Sequence, residues 1–179
     1  MTSGTLMSAE QFDRLPVVEG RKSELLEGEL VELSSATLLH NYILLVLGSA
    51  LVSALSKRRL GMAFPTTEFV FGESRFQPDL AVLLGDKWKN CDMNRVPVTV
   101  TPDIAVEIIS PSESASHVQR KTYTYLQHGV SEVWSIYPED RRIYIQTPES
   151  MRIVEESDTL TTPLVPDWSV VVRDLFPTQ

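Results

Sequence analysis

A chain of 179 residues with 42% hydrophobic and 22% charged residues has the proportions of a globular protein and can bury a substantial core without disulfides. Its formal charge of −8 excludes a broad basic surface as the source of nucleic-acid affinity, although a bound cation and a local basic patch can offset an acidic average. The single cysteine, Cys91, cannot close an internal disulfide, so the expectation is one domain over residues 1–179 in a reducing, cytoplasmic compartment.

Met1 to Pro16 lacks the basic start and apolar core of a signal peptide. Ser8 reads as the N-cap of a short helix, with Gln11 as its capping-box partner. Glu24 to Leu33 alternates as two strands around a Glu27-Gly28 turn, where glycine supplies the positive φ of a tight hairpin. Glu27, Glu29 and Glu32 read mostly as a solvated face. Thr37 to Arg59 forms a helix whose Leu39, Ile43, Val46, Leu47, Ala50, Leu51, Ala54 and Leu55 recur at three- and four-residue steps, giving a wide apolar face. Its most apolar part, Tyr42 to Leu55, is shorter than the roughly 20 residues that span a bilayer, so a core helix is expected. Lys57, Arg58 and Arg59 suit its dipole better than a DNA patch, and Gly61 closes it.

Met62 to Phe71 predicts one or two strands with Pro65 at an edge, then a Gly72-Glu73-Ser74-Arg75 turn. Gln77 to Leu84 is an apolar strand with Asp79 at its entry. Gly85 to Val100 is a polar connection with a short helix. Pro102 to Ser112 is a second apolar strand with Glu107 inside it. Ser112 to Gln127 is a helix ended by His128-Gly129. Ser131–Tyr137 and Arg141–Thr147 pair, and Met151–Glu156 and Val170–Arg173 are weaker strands. The order predicts a mixed α/β protein.

A glutamate inside an apolar run needs a partner or a metal, because an ionised carboxylate is rarely buried alone. Strand alternation puts Asp79, Ala81 and Leu83 on one face and Ala105, Glu107 and Ile109 on another. Each acid has an alanine beside it, which would leave room for an ion and a substrate. Two adjacent carboxylates raise each other's pKa unless a cation neutralises them, and oxygen ligands with open water positions suit Mg²⁺ or Mn²⁺. The alternative is Asp79 in water at a strand end and Glu107 paired with a cation such as Lys121.

Pro78-Asp79, Val106-Glu107-Ile108-Ile109-Ser110-Pro111-Ser112, Lys121 with Tyr125 and Gly129, and Glu132-Val133-Trp134 form an ordered set. With the Glu24–Leu30 hairpin, this set resembles the Uma2 family of the PD-(D/E)XK restriction-endonuclease-like superfamily, over about Ser8 to Phe176. The resemblance implies a central mixed sheet flanked by helices, with Asp79 and Glu107 as metal-binding acids. It places an acid at Glu24, either a third site carboxylate or a surface glutamate. The superfamily lysine two residues after the second acid is replaced here by Ile109. Lys121 on the following helix is the natural substitute, and it shares a helix face with Tyr125 but not with Gln119. His40 either caps its helix or faces the site edge.

The implied activity is Mg²⁺- or Mn²⁺-dependent hydrolysis of phosphodiester bonds, with DNA as partner and a homodimer to cut two strands. The competing readings are an inactive nuclease-fold binding or dimerisation module, and a metal-dependent phosphoesterase for small substrates. No Ser-His-acid set, glycine-rich phosphate loop or zinc-type spacing is present.

Overall fold

The computed structural model describes residues 6–16 and 22–178, so the leaderless start read at Met1 lies outside the described residues. Among the described residues, twelve strands and four α-helices follow in chain order. They are α1 (Ala9–Asp13), β1 (Lys22–Leu26), β2 (Glu29–Leu33), α2 (Leu38–Arg58), β3 (Gly61–Pro65), β4 (Phe69–Phe71), β5 (Ser74–Phe76) and β6 (Leu80–Leu84). Then come α3 (Gly85–Lys89), β7 (Ile104–Ile108), α4 (Ala115–Gln127), β8 (Glu132–Tyr137), β9 (Arg142–Gln146), β10 (Met151–Val154), β11 (Thr159–Thr161) and β12 (Ser169–Val171).

A six-stranded sheet in the order β10-β9-β8-β7-β6-β3 forms the centre. Its one parallel pair, β7 with β8, is joined through α4, as a parallel connection requires. Alternation along the central strands divides the core in two. Leu80, Val82, Ile104, Val106 and Trp134 face α2, whose Ile43, Leu47, Leu51 and Leu55 are fully buried. Ala81, Ala105 and Val133 face the other way, toward Tyr125 of α4 and the phenylalanines of a four-stranded sheet ordered β2-β1-β5-β4. The small β11-β12 pair closes one end, where Trp168 stacks on Trp134 at 5.8 Å.

Local chemistry accounts for the element ends. Ser8 and Gln11 form the predicted capping box. Glu27 and Gly28 both take positive φ, as a two-residue hairpin turn with right-handed twist demands. Pro65 ends the edge strand β3, where its missing N–H breaks no ladder.

Several expectations are corrected. Arg59, with φ 55°, is the left-handed cap of α2, while Gly61 begins β3 because a Cβ there would lie 2.1 Å from the Leu83 carbonyl oxygen. Ser74 and Arg75 belong to β5, and the hairpin turn lies one step earlier, with Phe71 opposite Ser74. Ser114, not Ser112, caps α4. The strand β11 was not foreseen. Most consequential, α2 runs 21 residues, long and apolar enough by length and composition to cross a membrane, and it fully buries one four-residue-step stripe while Leu44, Val46, Val52 and Ala54 pack partly against the core.

Candidate active site

The acids of two strands meet at one end of the central sheet. β6 and β7 are antiparallel with Leu80 opposite Val106 and Ala81 opposite Ala105, so the next step of the register puts Asp79 opposite Glu107. Their side chains are 18% and 13% exposed. Glu24 enters from β1 and is 1% exposed, which removes the surface reading of that residue. Lys121 reaches down from α4. Its Nζ lies 2.8 Å from Glu24 Oε1 and 3.0 Å from Glu107 Oε1, itself buried. The alternative pairing read from the sequence, Glu107 with Lys121, is therefore present. Asp79, however, is not simply in water.

Each acid is held from a second side. Tyr125, one helical turn after Lys121, donates its hydroxyl to Glu107 Oε1 at 2.5 Å. His40 Nε2 lies 3.0 Å from Asp79 Oδ1, and the Ile108 backbone N–H donates to Asp79 Oδ2 at 2.7 Å. The Gln77 N–H donates to Glu24 Oε1 at 2.7 Å. His40 thus faces the site edge from the first turn of α2, whose cap is Thr37. The ring of Phe76 lies 5.5 Å from Lys121 Nζ, a cation–π distance. Gln119 points to solvent.

Glu24 and Glu107 share one ammonium, and Asp79 adds a further negative charge beside Glu107. Burial pushes the Glu107 carboxyl up to about 8, with Asp79 and Glu24 adding to the rise and Lys121 opposing it. Burial disfavours the charged lysine, but Glu107 and Glu24 outweigh it, so Lys121 is held protonated above its ordinary range. Burial and the nearby Glu107 raise Tyr125 as well, which keeps it a neutral donor.

The alanines do not leave the room expected of them. Ala81 and Ala105 are fully buried, and the space above them is filled by the cluster of Phe69, Phe71, Phe76 and Tyr125. Tyr125 meets Phe71 and Phe76 edge-on at 4.9 and 5.2 Å, which fixes its ring. The small residues therefore seat the aromatic platform that aims Tyr125 and Lys121 at the acids.

The donor set fits a hard cation that retains water. Glu24 Oε2 is buried with no hydrogen-bond partner among the described residues, and Glu107 makes its bonds through Oε1. Among those residues no three His, Cys, Asp or Glu side chains converge as a metal cage. Asp79 and Glu107 by themselves are a carboxylate number that Mg²⁺ or Mn²⁺ takes when it keeps several waters.

Two neighbours escaped the sequence reading. Ser135 stands opposite Glu107 in β8, and its buried Oγ lacks a partner among the described residues. Its signal was a hydroxyl inside the apolar run Val133-Trp134-Ser135-Ile136. Phe76 gave none. The remaining polar candidates stand apart: His128 bonds the Thr124 carbonyl at 2.8 Å, and Ser110 and Ser112 bond each other at 2.9 Å in the turn before α4.

The Uma2 family model, described as "Putative restriction endonuclease", matches residues 9–176. No curated protein matches the chain. Among solved structures, the chain is similar to "a putative nuclease belonging to DUF820 from Anabaena variabilis ATCC 29413", at 23% identity and a TM-score of 0.82. That match covers 95% of this chain and 97% of the other. The mixed α/β architecture, with sheets flanked by helices, is thus the fold of that solved structure.

Proposed function

Since the chain belongs to the Uma2 family, we propose that it is an endonuclease hydrolysing phosphodiester bonds of DNA with Mg²⁺ or Mn²⁺. One observation carries the reading: Lys121, twelve residues from the usual lysine position at Ile109, lies 3.0 Å from Glu107 and 2.8 Å from Glu24. Asp79 and Glu107 would hold the cation, with Glu24 as the third carboxylate at its edge. When bound, the ion supplies positive charge to the phosphoryl oxygens and acidifies a water.

The chain's own residues do the rest. An ammonium has three N–H groups, and Glu24 and Glu107 take two of them. The third is free for the attacking water or for charge developing on the phosphoryl group. Tyr125 holds Glu107 on one side, so its second oxygen faces away from Lys121's contact. His40 fixes the carboxylate of Asp79 from the start of α2. Tyr125 and Lys121 are both engaged by buried carboxylates, so water is taken as the attacking group.

The test is cleavage of supercoiled plasmid and of single-stranded DNA with Mg²⁺ or Mn²⁺. Wild type should nick or linearise the DNA, and Lys121→Ala, Asp79→Ala and Glu107→Ala should each lose at least 100-fold, on the order of one transition-state electrostatic contact. Full cleavage by Lys121→Ala would defeat the lysine assignment. Metal binding without turnover on any nucleic acid would favour the noncatalytic module instead.

A further inference from the structure

The outer face of α2 is largely uncovered among the described residues, with Val52 alone of its seam row packed partly against the core. Its buried stripe, Ile43, Leu47, Leu51 and Leu55, uses one side only. At 3.6 residues per turn, the row Leu38, Tyr42, Leu45, Ser49, Val52 and Ser56 lies about 160° round the helix from that stripe. Leu38, Tyr42 and Leu45 on this row are 90%, 40% and 67% exposed. The spacing of the row alternates four and three residues, the repeat by which one helix presents a seam to another.

We infer that this row is an antiparallel helix–helix seam for a second copy of the same chain. Three features name that occupant. The row is large in its first half and small in its second, so a two-fold pairing centred on Leu47 puts Leu38 opposite Ser56, Tyr42 opposite Val52 and Leu45 opposite Ser49. One centre satisfies all three pairs. An apolar groove of about 410 Å³ lies along the same side, with Leu45 on its rim and Gly48, Ser49 and Val52 beneath, closed by Ala63 and Pro65 of β3. A knob and a hole on one surface patch are what an isologous contact requires.

The third feature is charge. Thr37 to Ser56 contains no Asp, Glu, Lys or Arg, although the whole chain carries −8. Two such chains repel everywhere but across a neutral face. An anionic lipid surface would be repelled outright. A stable dimer buries about 800 Å² per partner, and a helix about 31 Å long supplies less than half of that as footprint, so the β3 wall of the groove completes the contact. The pairing sets the two His40–Asp79 sites about 21 Å apart along the seam, at opposite ends of it.

Sedimentation velocity at micromolar concentration tests this. Wild type should sediment as two 20.1 kDa chains, and Leu45→Glu and Ser49→Glu should each sediment as one, with native far-UV spectra and cooperative melts kept because both side chains are exposed in the single chain. A monomeric wild type overturns the inference, and so does either variant remaining dimeric. A wild-type monomer that floats with vesicles of anionic phospholipid overturns it in favour of a membrane. The readout needs no activity, so an inactive dimer supports this seam while counting against the nuclease.

Discussion

Lys121 is one largely buried ammonium shared by Glu24 and Glu107, and this decides what its removal does. Taking one partner from a buried pair leaves the other charge uncompensated, at about 3–5 kcal/mol. Lys121→Met should therefore lower urea stability by about 3 kcal/mol, and Mg²⁺ should recover part of it by standing in for the lost positive charge. A variant as stable as the parent would show that the pair is not needed for folding. Tyr125→Phe tests a smaller effect. The ring stays in its aromatic cluster, but the 2.5 Å bond to Glu107 is lost, at about 1.5 kcal/mol for a bond to a charged acceptor. Cleavage should fall in kcat with KM little changed, because Tyr125 positions Glu107 and is wholly buried from substrate. At this scale the sequence showed Glu107 plainly, since a carboxylate in Val106-Glu107-Ile108 breaks an otherwise apolar run. It could not show that Ala81 and Ala105 make room for rings and not for an ion. That depends on which remote segment packs above them.

The elements place these residues, and β3 shows how little slack they have. Gly61 sits against the Leu83 carbonyl of β6, where a Cβ would be 2.1 Å from backbone that cannot rotate away. Gly61→Ala should push β3 off β6 and cost about 1–3 kcal/mol of stability, read as a lowered urea midpoint with an unchanged m-value. A neutral result would mean the edge strand moves freely. The hairpin β1-β2, the capping box of α1 and the C-terminal Gly129 of α4 were legible because turns and caps are local chemistry. β5 and β11 were not, being three residues each and too short for alternation to speak. α2 misled for a different reason. A helix apolar all round reads as buried, and composition cannot tell a core helix from one that keeps half its surface for another molecule.

For the molecule as a whole, charge is the governing quantity. A chain of −8 sets Glu24 and Glu107 on a single Lys121 with Asp79 beside Glu107, an arrangement that repels itself and repels DNA until something positive enters. Basic side chains nearby do not supply it: Arg120 is engaged by Glu27 and Glu29, and Arg75 by Asp13. A divalent cation bound only by the folded site must therefore stabilise the fold, by about 2.7 kcal/mol at a hundred times its dissociation constant. For a domain of this size each kcal/mol moves Tm by about 2–4 °C, so saturating Mg²⁺ should raise Tm by about 5–10 °C. Asp79→Ala and Glu107→Ala should lose that shift, because each removes a carboxylate at the point where β6 and β7 meet. Lys121→Met should show a larger shift than wild type, because the ion then relieves repulsion that the ammonium no longer offsets. The four melts separate charge from coordination. Equal shifts in all four would mean that the ion acts on the acidic surface at large, and the convergence of the acids would then be a device for holding α4 to the sheet.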